Sequence, residues 1–348
     1  LSWLERWGLA SRVGFTYIGT VVGAGFASGQ EILQFFTVFG KYSSLGIILC
    51  TLLFSWLGTR MMLVGHRLRA GSYEDFNYYV FGERWGKYMS AFVGIILFGV
   101  TTAMMSGVGA LFEEQIGISS HVGVIATAIL SFLVIIRGME GILSVNSLVV
   151  PLMFLFTICV TIYSFQQGNV ETLFQSSPSV HGNHWLISAI IYVAFNLVMS
   201  QAVLVPLGAE ILDEQTIRRG GWIGGIGLGA MLLASNFAMQ LQLDEIIKLE
   251  IPMAAIISAL GVAMKYFFLT VMWAEIFTTL IGNVYGLAVN LKQVVPFRLY
   301  TIMGLIFLFG YVFSLVGFPT LISYVYPLFG YCGLVVLVLL AIRRLPRM

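Results

Sequence analysis

The chain has 348 residues, of which 59% are hydrophobic and only 10% charged, with a formal net charge of +2. A typical soluble domain carries about 25% charged residues, so water is not the main solvent here and an integral membrane protein is indicated. There is no P-loop, no nucleophile elbow and no basic aromatic run, which leaves enzymes and nucleic-acid partners without support.

A membrane helix needs about 20 mostly apolar residues. Hydropathy predicts ten such spans, at 12–40, 44–66, 87–112, 118–137, 144–166, 185–211, 221–240, 260–289, 298–316 and 321–343. The expected fold class is all-α integral membrane. The first segment is too long and too polar at its centre for a signal peptide, so no cleaved targeting segment is expected.

The first span carries the most informative signal. Residues 14–31, GFTYIGTVVGAGFASGQE, hold five glycines and a Ser-Gly-Gln-Glu cluster at mid-depth. Its GVGAGFASG stretch lacks the parallel-strand unit and acidic residue of a dinucleotide fingerprint. In hydrocarbon, non-helical backbone is tolerated only where protein or a polar cavity covers it. Unwinding between Gly23 and Gly29 would free the carbonyls of Gly19, Thr20, Val21 and Val22 for a small cation. The amides of Ser28, Gly29 and Gln30 would then point at an anionic group. Ser28-x-x-Glu31 has the spacing of a capping box, which predicts a second helix start in mid-membrane. Glu31 is expected either neutral or paired with a cationic substrate group. The alternative is a continuous helix whose glycines serve close packing.

Residues 72–83, rich in acids and aromatics, are expected to lie along the membrane interface. The third span carries a small-residue stripe at Gly99, Thr102, Ser106 and Gly109, with Thr101 and Met105 beside it as candidate ligand contacts. The sixth span, AFNLVMSQAVLVPLGAE at 194–210, runs through Asn196, Ser200 and Gln201 to Pro206 and Gly208, a second irregularity. Corresponding interruptions in two halves point to a transporter site. Residues 241–259 form either a short helical cap or an ordinary loop.

The eighth span places Glu275, Thr278, Thr279, Gly282, Asn283 and Gly286 on one helix face. Threonine hydroxyls facing free carbonyls would complete an oxygen-only sodium shell; alternatively they bond their own helix backbone. A carboxyl at the depth of Glu275 is rare unless it pairs or carries protons. Cys50, Cys159 and Cys332 lie in predicted spans and read as packing residues. His181 and His184 make at most a weak surface metal site. Fifteen of the eighteen Lys and Arg residues fall on the side of the N-terminus, which predicts that both termini are cytoplasmic.

Ten spans, a glycine-rich break in the first, a polar break in the sixth and a threonine pair in the eighth resemble the LeuT fold of the amino acid, polyamine and organocation (APC) superfamily. The segment FTYIGTVVGAGFASGQEILQFF is similar to YkvI-like bacterial membrane proteins, and more distantly to branched-chain and hydroxy amino acid permeases. The resemblance implies one transmembrane transporter domain over 1–348, built as a five-plus-five inverted repeat. Repeat one would cover about 12–166 and repeat two about 185–343, with helices 1 and 6 discontinuous.

The resemblance further implies a Na+ site at the carbonyls of Gly19 and Val22, the neighbourhood of Glu275 and the hydroxyls of Thr278 and Thr279. Substrate would contact Gly23, Ala24, Gly25 and Ser28 in the first span and Phe195, Asn196 and Ser200 in the sixth. Phe26, Glu31 and Thr101 complete the expected substrate residues, and Tyr17 and Trp273 are further gate candidates. Proton-coupled relatives often place a lysine from the fifth span where sodium would sit. Residues 144–166 contain no Lys or Arg, which favours sodium, with Glu31 or Glu275 as the proton-carrying alternative.

The expected function is a secondary active symporter for a small amino acid or related amine in the bacterial cytoplasmic membrane, working by alternating access. A proton-coupled permease, an exchanger and a non-transporting ligand sensor are the alternatives. The implied partners are a small-molecule substrate and the lipid bilayer, and the sequence carries no signal of oligomeric state.

Overall fold

The structure, a computed structural model, describes residues 3–167, 184–247, 252–258, 260–315, 330 and 333–346, and every regular element among them is helical. The predicted span at 321–343 lies partly outside the described residues, as do His181 and Cys332.

The first span is interrupted as its glycines predict. It comprises α1 (Trp3–Val21), a short turn α2 (Ala24–Ala27) and α3 (Gln30–Phe35). A 3-10 segment, Thr37–Tyr42, leads into α4 (Ser43–Leu53), which widens through a π-turn at Phe54–Gly58 and continues as α5 (Thr59–Leu68). The interfacial connector forms α6 (Tyr73–Phe81), capped where the Glu74 amide donates to the Ser72 hydroxyl at 3.2 Å. Next come α7 (Glu83–Ala110), α8 (Ser120–Ile135) and α9 (Gly138–Gln167).

After the undescribed stretch the chain resumes with α10 (His184–Glu210) and α11 (Glu214–Gln240). Within 241–259 the described residues include two short helices, α12 (Leu243–Ile246) and α13 (Pro252–Ser258). They are followed by α14 (Val262–Val294), α15 (Leu299–Ser314) and α16 (Gly333–Ile342). Six of the described helices are long and apolar enough to cross a membrane, and Ser120–Ile135, Leu299–Ser314 and Gly333–Ile342 are shorter apolar helices. The protein is thus a multi-pass, all-helical membrane protein.

The expected break in the sixth span is not found: α10 runs without interruption from His184 to Glu210, with Pro206 inside it. Its polar side chains satisfy themselves on their own helix. Asn196 Nδ2 donates to the Tyr192 carbonyl at 2.9 Å, the Ser200 hydroxyl donates to the Asn196 carbonyl, and Gln201 Nε2 donates to the Val198 carbonyl at 2.8 Å. Such local bonds need no unwound backbone to receive them. Pro206 removes only the amide that would bond the Ala202 carbonyl. That carbonyl faces Gly286 of α14, where a Cβ would lie 2.7 Å from the oxygen.

Two sets of helices result. α1, α4–α5, α10 and α11 pack chiefly on one another, α7, α8, α14 and α15 do likewise, and α9 touches both sets. Glycines on α11 make the first set compact. Cβ atoms at Gly221, Gly225 and Gly229 would strike Thr59, Ser55 and Thr51, an antiparallel ladder one turn apart. Gly220, Gly224 and Gly227 would strike Val13, Tyr17 and Ile18 of α1, which runs parallel to α11. Without a hydrophobic drive between helices in lipid, such close backbone approach supplies the packing that holds them.

Candidate functional site

The break begins where α1 loses its hydrogen-bond ladder. The Val22 amide still donates to the Ile18 carbonyl at 2.8 Å, but among the described residues neither the Gly23 nor the Gly25 amide returns to α1. Bonding resumes only when Phe26 and Ala27 both donate to the Gly23 carbonyl, at 2.9 and 3.0 Å. Glycine is worth about 1 kcal/mol less than alanine in a helix interior, so Gly23, Gly25 and Gly29 together weaken this turn. Gly29 has φ 82°, in the left-handed region that glycine enters freely, and it starts α3.

Across the break stands α14. The Thr279 hydroxyl donates to the Val22 carbonyl at 3.2 Å, and a Cβ at Gly23 would lie 3.1 Å from that hydroxyl. Thr278 Oγ1 donates instead to the Glu275 carbonyl at 2.9 Å, one turn back on its own helix. The two adjacent threonines thus make separate oxygen contacts, Thr279 across to α1 and Thr278 within α14. The 3.2 Å contact is long for an O–H···O bond, whose usual length is about 2.7–2.8 Å. Both hydroxyls keep lone pairs, the type of oxygen donor that a small hard ion takes.

Glu31 does not complete the capping box. Ser28 Oγ donates to the Gly25 carbonyl at 3.2 Å and meets the Gln30 amide at only 3.4 Å. The Glu31 side chain folds back over Gly25, where a Cβ would fall 2.1 Å from its Oε1. The bare backbone of Gly25 leaves room for the carboxylate there. Glu275 is 2% exposed and its Oε2 has no hydrogen-bond partner.

The short helices between α11 and α14 reach this point. The Met253 amide of α13 donates to the Ser28 carbonyl at 3.1 Å, and a Cβ at Gly29 would meet Met253 and Met239 at 3.1 and 3.2 Å. Phe26 and Phe195 are buried at 4% and 3% exposure. Thr101 is set elsewhere: its hydroxyl donates to the Leu97 carbonyl at 2.7 Å and its methyl faces Gly310 of α15. Tyr17 donates to the Phe54 carbonyl at 2.8 Å, and Trp273 donates to Thr127 of α8 at 3.0 Å while stacking on Phe277, so both are held by packing partners.

Two asparagines absent from the expected site lie near it, one on α9 and one on α14. Asn146 of α9 touches Gly19, whose Cβ would fall 1.8 Å from Asn146 Oδ1, and that buried oxygen has no partner. Asn283, one turn beyond Thr279, leaves Nδ2 unpartnered. Asn146 lies in the predicted fifth span, 144–166, as a neutral amide and not a cation.

The Arg-rich face is tied together separately. Arg67 Nε donates to Glu214 at 2.7 Å and Arg67 Nη1 to the Pro346 carbonyl at 3.0 Å. Arg60 donates to the Leu340 carbonyl at 2.6 Å, and Arg12 of α1 pairs with Glu140 of α9.

No protein-family model matches the chain. It is 38% identical over 346 residues to YkvI, an uncharacterized membrane protein of Bacillus subtilis (strain 168), covering 98% of this chain and 97% of that protein. Among solved structures, MhsT in complex with L-phenylalanine superposes with a TM-score of 0.68 at 17% identity, covering 94% of this chain and 86% of that one. A Na+-coupled sialic acid symporter in a substrate-bound outward-open state also reaches a TM-score of 0.68, at 11% identity, covering 94% and 78%.

Proposed function

The chain belongs to the YkvI family of membrane proteins and has the LeuT-type fold, and from that premise we propose that it is a secondary active transporter for a small amino acid or related amine, coupled to sodium. The observation that carries this reading is the contact between Thr279 and the Val22 carbonyl at the broken span. A carbonyl freed by unwinding and a hydroxyl from a second helix are the ligands that such a break offers a coupling ion. A sodium ion bound there would offset the charge of a substrate carboxylate and tie α1 to α14. In this reading Val22, Glu275 (through its carbonyl), Thr278 and Thr279 hold the ion, with Gly19 one turn below.

Substrate would lie against the exposed backbone of Gly23, Ala24 and Gly25, between Phe26, Ser28 and Glu31 and the middle of α10 at Phe195, Asn196 and Ser200. Because α10 is unbroken, its share of the site is side-chain surface rather than free backbone. The chain would form one domain of two inverted repeats of five spans with both termini cytoplasmic, and the α1–α11 set would rock against the α7–α14 set. One structural neighbour was captured with L-phenylalanine and another is a Na+-coupled symporter, which supports the choice of substrate class and ion.

A proton-coupled carrier is the second reading, favoured by the buried, unpartnered Glu275 Oε2. The test is uptake of a radiolabelled amino acid and amine panel into proteoliposomes under an inward sodium gradient, a proton gradient or neither, with wild type and Thr278→Ala/Thr279→Ala. Sodium-driven accumulation that the double substitution abolishes is the expected result. Accumulation driven only by protons transfers the coupling role to Glu31 and Glu275. Ligand-induced thermal stabilisation without uptake under any gradient identifies a sensor.

A further inference from the structure

Between α1, α9 and α11 lies a groove of about 580 Å³ that plays no part in the ion and substrate sites. Its walls are Phe15 and Ile18 of α1, Phe154 of α9 and Ile226 of α11, and its floor is Gly227, where Ile18 and Phe154 meet. Because α1 and α11 run parallel, one end of the groove is fixed by Trp7, Arg218, Arg219 and Trp222, and the other by Ile18 and Gly227. Trp7 and Ile18 are eleven positions apart on α1, about 16 Å at the α-helical rise. Trp222 and Ile226 are 49% and 54% exposed, so the groove opens to the surroundings of the helices and not to the interior.

We propose that this groove binds an anionic phospholipid, with an acyl chain along Phe15, Ile18 and Phe154 and the phosphate at Arg218 and Arg219.

The chemistry of the two ends selects this occupant. An almost wholly apolar trough offers a soluble anion nothing beyond its mouth, whereas an acyl chain fills it. At the mouth, positive charge is in excess. Arg218 reaches Glu214 only at 3.4 Å, and Glu214 is already bonded by Arg67 at 2.7 Å. Arg219 stacks over the Trp7 ring at 4.8 Å, and among the described residues no carboxylate forms an ion pair with it. Tryptophans mark the headgroup level of a bilayer, and basic pockets between membrane helices recognise anionic headgroups. A zwitterionic lipid would bring its own ammonium toward two guanidiniums, which disfavours it.

The position gives the lipid a purpose. Ile18, on the floor, is one turn before Val22, where α1 breaks. The groove also joins α1 and α11 to α9, the helix that touches both sets. A bound lipid would therefore hold the lower half of the broken span against α9.

The test compares purified wild type with Arg218→Gln/Arg219→Gln, Arg218→Lys/Arg219→Lys and Gly227→Leu, in nanodiscs of phosphatidylcholine with or without phosphatidylglycerol. Retained lipid is counted by native mass spectrometry and thermal midpoints are recorded. Wild type should retain phosphatidylglycerol over phosphatidylcholine and gain stability from it. The glutamine pair should weaken that preference by about fivefold per guanidinium lost, while the lysine pair keeps it. Gly227→Leu should expel the lipid with both charges in place. Equal retention of both lipids by wild type, or undiminished phosphatidylglycerol retention in the glutamine pair, overturns the proposal. Should the glutamine pair fail to fold, undiminished retention in Gly227→Leu overturns it.

Discussion

The Thr279 hydroxyl of α14 lies 3.2 Å from the Val22 carbonyl at the end of α1, the point at which the two helix sets meet across the break. Thr279→Val keeps the branched shape and removes only the oxygen. A hydrogen bond or ligand contact to a charged group is worth about 1.5–3 kcal/mol, so apparent sodium affinity should fall by about tenfold or more. Thr279→Ser, which restores the hydroxyl, should recover most of it. Sodium-dependent thermal stabilisation and uptake both read this out, and unchanged sodium dependence in the valine variant rules out the site.

Gly25 is kept bare by Glu31. A Cβ at this position would lie 2.1 Å from Glu31 Oε1 and 2.5 Å from its Cδ, so Gly25→Ala must displace the carboxylate while leaving the surrounding helices in place. Expression and melting should change little, and uptake should fall at least as far as in Glu31→Gln. Full uptake in Gly25→Ala would mean that the folded-back position of Glu31 is irrelevant to transport.

Glu275 separates the two coupling readings. If sodium couples transport, the protein uses the Glu275 backbone carbonyl, and Glu275→Gln keeps that carbonyl and nearly all the side-chain volume. Sodium-driven accumulation should survive with a modest change in KM. Loss of all gradient-driven accumulation, with exchange of substrate intact, would instead assign proton transfer to this carboxyl.

The break in the first span was legible because its causes are local: three glycines within seven residues and a Ser-Gly-Gln-Glu start signal act on the backbone of the same turn. No local pattern pairs Thr279 with Val22, which are 257 positions apart; the resemblance groups them only as expected ion ligands. The sixth span misled for a physical reason. Asn196, Ser200 and Gln201 look like groups at a helix break in a sequence, yet α10 continues through them and each bonds a carbonyl on its own helix. Glu31 misled likewise, because the capping-box spacing does not reveal that Gly29 takes a left-handed conformation. Asn146 gave no signal, since only the fold brings it against Gly19.

Asp213 offers a stability test with a defined pH dependence. It caps α11, accepting from the Gln215 and Thr216 amides at 3.2 and 3.1 Å and from the Thr216 hydroxyl at 2.8 Å. The Thr216 hydroxyl bond, followed by these amides, holds its carboxyl below the ordinary range. Replacing such a cap by alanine costs about 0.5–2 kcal/mol. A depressed folded-state value means that the contribution is complete above the unfolded value, about 3.9, and is lost as pH falls through the folded one. Asp213→Ala should therefore melt below wild type at neutral pH, with the gap closing below about pH 4. A gap that persists into that acid range would mean the cap acts through shape and not charge.

Asn146 distinguishes a residue kept for transport from one kept for packing. It is 1% exposed, and its Nδ2 donates to the Ile142 carbonyl at 2.8 Å, while Oδ1, against Gly19, has no partner. Leaving a buried acceptor unsatisfied costs about 1–3 kcal/mol, and an apolar group of similar shape removes that cost. Asn146→Leu should therefore be as stable as wild type or more so. If the free oxygen serves the lower approach to the ion site, the same variant should lose sodium-dependent uptake, whereas Asn146→Asp should keep an oxygen there and retain part of it. A stabilised leucine variant that transports normally would show that Asn146 is only a tolerated flaw in the packing of α1 on α9.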